Sequence, residues 1–346
     1  MAGETRMSTL KVDTITDSSS GLTTTINGFT PQSSNMAGKN LIINGGFNVW
    51  QRGTSFSDVN NVYTADRMYV VAGGGTTGDN VTRQSFTAGQ TDVPGEPTYY
   101  FRFTAGSTSS NKVVHHRIED VRTGAGQTVT LSFWGKASTA HSSTIELGQN
   151  FGSGGSSQVV PSAQSYSLTT SWQKFTFNIV LPSISGKTIG TSSYLYIAFI
   201  RSLPASNVDI DIAQMKLEIG SVATPFEHRS YGEELSLCQR YYEKFGQGWW
   251  SRFESGSGLV VNGQFKVEKR TAPTIGLPTG GTIRLYEWGV GDRDATPTLT
   301  STSMNANGGH FKLSGFSTGG STGEIWGVGG TPTSITEHPF EAIAEL

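Results

Sequence analysis

The feature that most constrains this chain is a short unit that keeps returning. It is a run of alternating apolar and polar residues, closed by Gly, Ser, Thr or Asn. Residues 128–134 show it plainly: Val129, Leu131 and Phe133 alternate with Thr128, Thr130, Ser132 and Trp134. A period of two puts each set on one face of a β-strand. Comparable runs occupy residues 68–72, 98–103, 113–121, 144–147, 172–180, 194–200 and 208–219, and an apolar run opens at Asn40. Roughly nine strands at this spacing predict an antiparallel sandwich rather than alternating βαβ units. Residues 194–200 (YLYIAFI) are apolar on both faces, as a central strand covered from both sides would be.

Composition decides whether so polar a sequence folds at all. Gly accounts for 44 of 346 residues and charged residues for only 15%, which alone would suit disorder. Aromatic residues stand at 10%, including 7 Trp, far above what a disordered chain carries, and they sit within the alternating runs. The reading is therefore all-β. A net charge of −2 argues against nucleic acid as the main partner, because phosphate binding wants a basic surface. Cys238 is the sole cysteine, so no disulfide or Cys-based metal site can form within the chain. No apolar run approaches the ~18 residues of a membrane-spanning helix, so no membrane insertion is expected. The first residues lack the apolar core of a signal peptide, which suggests synthesis in the cytosol.

Three regions follow. Residues 1–38 carry Thr-rich β-prone pieces broken by Ser and Gly. They would gain order by pairing with other chains or docking on another protein, or remain a frayed tail. Residues 39–229 hold the first β-sandwich. Residues 230–346 begin with the one helical pattern, over 233–245: Leu235, Cys238, Tyr242 and Phe245 recur at steps of three, four and three, Glu233 and Glu234 stand at the N-terminal end, and Gly246 supplies the stop. Cys238 reads there as a packed small residue rather than a nucleophile. Short β segments resume after this linking helix, separated by polar loops such as 300–310, and predict a smaller C-terminal β-sandwich.

The segments NLIINGGFNVWQRGTSF and YTADR (63–67), closed by IAQMKLEIG (212–220) and ATPFE (223–227), resemble bacteriophage tail and appendage proteins that contain a carbohydrate-binding-type jelly roll. HRIEDVRTGAGQTVTLSFWGKAS resembles its middle strands. CQRYYEKF, FKVEKRTAPTI and the closing FEAIAEL resemble the domain joined to that jelly roll in phage fibres, and MSTLKVDTITDSSSG resembles the opening of cyanophage-type virion appendages. The resemblance implies a virion structural protein in a tail fibre or similar appendage, made in the host cytoplasm. It implies a homotrimer that contacts other virion proteins through residues 1–38 and adheres to a host cell-surface glycan. A capsid fibre or decoration protein with a purely structural role is the alternative.

No enzyme is expected. Asp209 and Asp211, at i and i+2, share a strand face and are the best local carboxylate pair for a polysaccharide depolymerase, but no cleft can be assembled around them from sequence. Glu119 and Asp120 point to opposite faces, as do His115 and His116, so neither makes a site. The resemblance implies a structural calcium near the first and last strands, with Asn44, Gly45, Gly46 and Asp211 as its candidate ligands. Asn44 is neutral and Gly46 stands where many relatives carry an acid. Sugar binding calls for flat aromatic rings. Trp134 and Trp172 sit inside strand patterns and are assigned to the core. Trp249 and Trp250 are neighbours and cannot both point inward, so they are the candidates for the glycan contact, with Trp288 and Trp326 near Gly-rich turns as companions.

Overall fold

The computed structural model describes residues 40–73, 77–106, 111–161, 163–201, 207–245, 249–255, 258–277, 283–287, 291–295, 297–315, 325–329 and 340–346. The chain divides into residues 1–39 and a compact unit over residues 40–346. The segment expected to attach and oligomerise the protein, 1–38, lies outside the described residues.

Twelve strands occupy residues 55–219: β1 (Ser55–Phe56), β2 (Val62–Tyr63), β3 (Met68–Gly73), β4 (Asn80–Ser85), β5 (Tyr99–Ala105), β6 (Asn111–Glu119), β7 (Thr128–Ala137), β8 (His141–Asn150), β9 (Gln164–Leu168), β10 (Gln173–Val180), β11 (Tyr194–Arg201) and β12 (Val208–Ile219). They form two six-stranded sheets, β1-β4-β5-β12-β7-β10 and β2-β3-β6-β11-β8-β9, and the chain crosses repeatedly from one to the other. The pairings are antiparallel. Alternate residues of both sheets meet in one core, with Phe101, Phe103, Leu131, Phe133, Ile210 and Ile212 facing Met68, Val114, Leu147, Leu195, Ile197 and Phe199. This is the antiparallel sandwich that the alternation called for, in the jelly-roll form that the resemblance implied. β11 lies between β6 and β8 with Leu195 to Ile200 buried on both faces, as its sequence required.

The apolar opening is not a strand. Residues 42–46 form a turn, and Asn40 explains why. Its Nδ2 donates to the Met215 carbonyl (3.0 Å), while its Oδ1 accepts from the amides of Ile42 (3.0 Å) and Leu217 (3.1 Å). One side chain thus takes up backbone groups that a neighbouring strand would have used.

The remaining elements are α1 (Tyr231–Gln239), β13 (Tyr242–Phe245), β14 (Trp250–Ser255), β15 (Gly258–Gln264), β16 (Thr274–Gly276), β17 (Ile283–Glu287), β18 (Gly291–Ala295), β19 (Thr298–Asn305), β20 (Gly308–Ser314), β21 (Ile325–Gly329) and β22 (Phe340–Ile343). They build sheets β13-β22-β16 and β18-β17-β21-β14-β15-β20-β19. Phe245, Trp249, Leu259, Val261, Phe311, Leu313 and Phe340 fill the core they share.

Two expectations are corrected here. The helix stops at Gln239, with Arg240 as its C-cap, rather than running to Phe245. Tyr242 and Phe245 are instead the ends of a strand paired with Ile343 and Phe340. The helical step pattern was weak, and a four-residue ladder with two aromatic anchors prevails over it. The N-terminal end is as the acidic residues indicated: the Glu233 amide donates to Ser230 Oγ (3.3 Å), the N-cap. The polar stretch 300–310 is a hairpin, not a long loop. Its Thr and Ser residues suit an exposed strand, and Asn305 Oδ1 accepts from the amides of Asn307 (2.8 Å) and Gly308 (3.2 Å) to close the turn.

The end of the chain ties the second sandwich to the first. Arg67 is buried and its guanidinium stacks on the Tyr241 ring at 3.5 Å. It pairs with Glu345, which also meets Arg52 at 3.3 Å. Tyr63 Oη donates to the Leu346 carbonyl (2.9 Å), and Arg117 reaches the same oxygen. Burial, and then Glu345, push the Tyr63 phenol up to about 12. Arg240 and Glu119 form a further bridge at 3.0 Å.

Replacing Glu345 by Ala leaves the Arg67 charge buried without its carboxylate. The expected loss is about 3–5 kcal/mol, read from the urea midpoint of unfolding. A change under about 1 kcal/mol would show that the pair behaves as a surface bridge.

His115 and His116 do face opposite ways. His115 sits on the outer face of the second sheet between Tyr69 and Tyr196, and His116 is fully buried. Burial, then Arg117, hold His115 down to about 3, and burial lowers His116 as well. Both ordinarily titrate near 6.5. Below that pH the unfolded chain takes up protons that the folded one refuses. Stability is therefore intact above pH 6.5 and falls as pH drops from 6.5 towards 3, by about 1.4 kcal/mol per pH unit for each histidine. Urea unfolding between pH 7 and pH 5 checks this, and His115→Gln should remove one histidine's share of the slope.

Candidate functional site

The outer face of the first sheet gathers the side chains that can meet a ligand. Phe101 and Phe103 point inward from β5, so Tyr100, Arg102 and Thr104 point out. By the same alternation Asp209 and Asp211 leave β12, Trp134 and Lys136 leave β7, and Lys174 leaves β10, with Trp172 just before it. Three strand intervals, about 14 Å, separate Tyr100 on β5 from Trp172 beside β10. Their rings nevertheless lie 5.3 Å apart, edge to face, and Phe86 lies 5.3 Å from Trp172. The large side chains lean together over the two strands between them. All three rings are half-buried, leaving aromatic surface at the rim of a trough.

Beneath them runs a charged ladder. Arg102 grips Asp211 with two hydrogen bonds, 2.7 and 2.8 Å, and reaches Asp209 at 3.3 Å. Thr104 Oγ1 donates to Asp209 (2.7 Å), and Lys136 lies 3.7 Å from Asp211 and 5.0 Å from the Trp172 ring. The hydrogen bonds that Arg102 donates to Asp211 raise the Arg102 pKa above its ordinary value. The two aspartates share a face as their spacing required. Both are bound to one guanidinium, so they are poorly placed to trade protons with a glycosidic oxygen.

Next to the ladder the face opens into a cleft of about 160 Å³. A bulge in β12 shapes it: the register with β7 slips between Ala213 and Lys216, and Gln214 takes φ 49°. Bulges re-aim side chains, and here Gln214 Nε2 is turned to donate to the Pro94 carbonyl (2.6 Å). Trp134 and Lys174, cross-strand partners, line it together with Phe226 and His228, whose rings lie 5.1 Å apart.

The four candidate tryptophans fare differently. Trp249 is a core residue, 7% exposed, packed on Phe245 at 4.4 Å and Phe265 at 5.4 Å. A Cβ on Gly263 would lie 2.2 Å from its indole, so the ring rests directly on that backbone. It is therefore corrected from a glycan contact to a structural anchor. Trp250 is paired through its backbone with Asn262 and Gly327, and Trp326 with Ser251. Their side chains, and all of Trp288, lie outside the described residues. Trp134 and Trp172, assigned to the core from sequence, are half-exposed on the outer face. The alternation of Trp134 with Phe133 already carried that signal.

The calcium candidates do not converge. Asn44 is fully buried: its Nδ2 donates to the carbonyls of Val49 (2.8 Å) and Asp66 (3.0 Å), and its Oδ1 accepts from the Val49 amide (2.9 Å). Asp211 points to the other side of the sheet, into the Arg102 ladder. Gly45 and Gly46 serve packing. The Met215 amide donates to the Gly45 carbonyl (2.8 Å), a Cβ on Gly45 would lie 2.0 Å from the Met215 carbonyl oxygen, and Gly46 lies against the Phe226 ring. Among the described residues, no three His, Cys, Asp or Glu side chains are grouped to hold a metal. Cys238 is buried, and burial raises its thiol pKa, as suits a packed residue rather than a nucleophile.

No family model and no curated protein matches the sequence. Among solved structures, the chain is similar to the carbohydrate-binding module CBM4, at 17% identity and TM-score 0.32, over 51% of this chain and 98% of that one. It is similar to the family 11 carbohydrate-binding module of Clostridium thermocellum bound to a β-1,3-1,4-linked tetrasaccharide, at 12% identity and TM-score 0.31, over 49% and 97%. A third is the enzymatically active domain of Bacteriophage CBA120 tailspike protein 4, at 12% identity and TM-score 0.35, over 52% of this chain and 21% of that one.

The two classes of tryptophan predict opposite outcomes. Trp249→Ala empties a core site and should destabilise the protein by about 3–5 kcal/mol in thermal or urea unfolding. Trp172→Ala removes a half-exposed ring and should cost less than about 1.5 kcal/mol.

Proposed function

We propose that this protein is a non-catalytic virion appendage protein whose jelly roll adheres to a host cell-surface glycan. One observation carries the adhesive part: the outer face of the first sheet combines aromatic rings at its rim with a fixed row of hydrogen-bonding groups beneath. Trp172, Tyr100 and Trp134 offer flat apolar area to pyranose rings. Arg102, Lys136, Lys174, Ser132 and Gln214 offer donors and acceptors to hydroxyls. That mixture of apolar platform and few placed polar groups is what a saccharide site requires. The held aspartates favour binding over hydrolysis. The virion setting, homotrimer and attachment through residues 1–38 rest on the sequence resemblance. A trimer would turn weak single contacts into useful avidity.

The capsid-fibre alternative has an observation of its own: Phe86, Tyr100 and Trp172 pack on one another, as rings covered by a neighbouring subunit would. A glycan array probed with the full chain separates the two. Binding that weakens about 5- to 150-fold in Trp172→Ala or Trp134→Ala, with the oligomer mass unchanged, supports adhesion. Loss of the oligomer in Trp172→Ala, with no glycan bound by the parent protein, gives the structural role instead.

A further inference from the structure

We propose that the cleft beside Trp134 selects a saccharide bearing an anionic group, a carboxylate or a sulfate. This rests on the adhesive reading above and specifies its ligand. The charges around the cleft carry the argument. Among the described residues its lining holds Lys174 and His228 but no carboxylate. Lys174 is exposed and makes no ion pair among the described residues, unlike Arg102 and Lys136, which are engaged with Asp209 and Asp211.

The nearby acids are turned elsewhere. Glu218 accepts from the Thr224 amide (2.8 Å) and hydroxyl (2.6 Å) and pairs with Lys216 at 3.2 Å, so this buried ion pair is neutral as a unit. Glu96, beside the lining residue Gly95, accepts from the Gly89 amide (3.1 Å). Glu227 is half-buried and is not part of the lining. Over the ladder and cleft together, Arg102, Lys136 and Lys174 face two carboxylates, Asp209 and Asp211, so the surplus is cationic and it is Lys174.

The geometry around that lysine suits a sugar acid. Lys174 stands across from Trp134 in the β7–β10 register, so its ammonium and the indole belong to one wall. A pyranose stacked on Trp134 would bring a substituent within reach of Lys174, with Ser132 lining the same cleft. A charge-assisted hydrogen bond from a lone ammonium is stronger than one between neutral groups and discriminates for an anion.

The test uses the full chain and four defined polymers: sodium polygalacturonate, the same polymer with its carboxyls reduced to alcohols, dextran sulfate and dextran. Binding is measured by affinity electrophoresis or calorimetry at low and high salt. Preference for polygalacturonate over its reduced form assigns a carboxylate, and preference for dextran sulfate over dextran assigns a sulfate. In either case Lys174→Gln should weaken the charged polymer about tenfold, and clearly more than the neutral one. The charged polymer's affinity should also fall with salt. Equal binding of charged and neutral forms, with Trp134→Ala weakening both, overturns the anion preference while the adhesive reading stands. Binding of none of the four, with no saccharide retained on a broader glycan array, overturns both. Lys174 lies exposed on the outer face, so its replacement leaves the fold intact, which the urea midpoint verifies.

Discussion

The first sandwich depends on β12 serving two faces at once. Its twelve residues run between β5 and β7, sending Ile210, Ile212, Met215 and Leu217 into the core and Asp209 and Asp211 outward. Those outward aspartates fix Arg102, and through it the charged row under Tyr100 and Trp172. Where the register slips, the same strand receives the opening of the chain through Gly45 and Asn40 and turns Gln214 towards Pro94. Core, chain closure and cleft therefore share one backbone. A shift of one residue along β12 would send every apolar side chain to solvent and every aspartate into the core.

Much of this was legible because a period of two is hard to imitate. The strand over 128–134, the two-sided burial of 194–200, the shared face of Asp209 and Asp211 and the packed Cys238 all follow from spacing and residue type. Failures arose where one local signal had two meanings. Leu235, Cys238, Tyr242 and Phe245 fit a helical step, yet the last two are claimed by β22, a partner about a hundred residues away that no local window contains. Likewise Thr and Ser at 298–305 look like loop residues until a hairpin partner is supplied by Asn305.

The aromatic residues show the same limit more sharply. Trp134 is assigned to the core because it sits inside a strand pattern, although its alternation with Phe133 points outward. Alternation reads Trp249 and Trp250 as a pair that cannot both enter the core. Which of them does so depends on Phe245, Phe265 and Gly263 arriving from other strands. At Asn44, oxygen chemistry suggested a cation, whereas the buried amide spends its bonds holding the opening turn. Residue type names what a side chain can do, and only the surrounding backbone chooses among those options.

The Arg67–Glu345 contact spans 278 residues. At a synthesis rate of about 5–20 residues per second, roughly 15–55 s separate the two partners on the ribosome. During that interval the jelly roll can assemble its sheets, but Arg67 lacks its carboxylate and the Tyr241 ring has yet to be delivered. The strand that brings Glu345 is also the one that completes the sheet between β13 and β16. Emergence of one short segment therefore closes both sandwiches together. A nascent chain stopped before it would present an arginine without its carboxylate and two unpaired strand edges, a form distinct from the finished molecule.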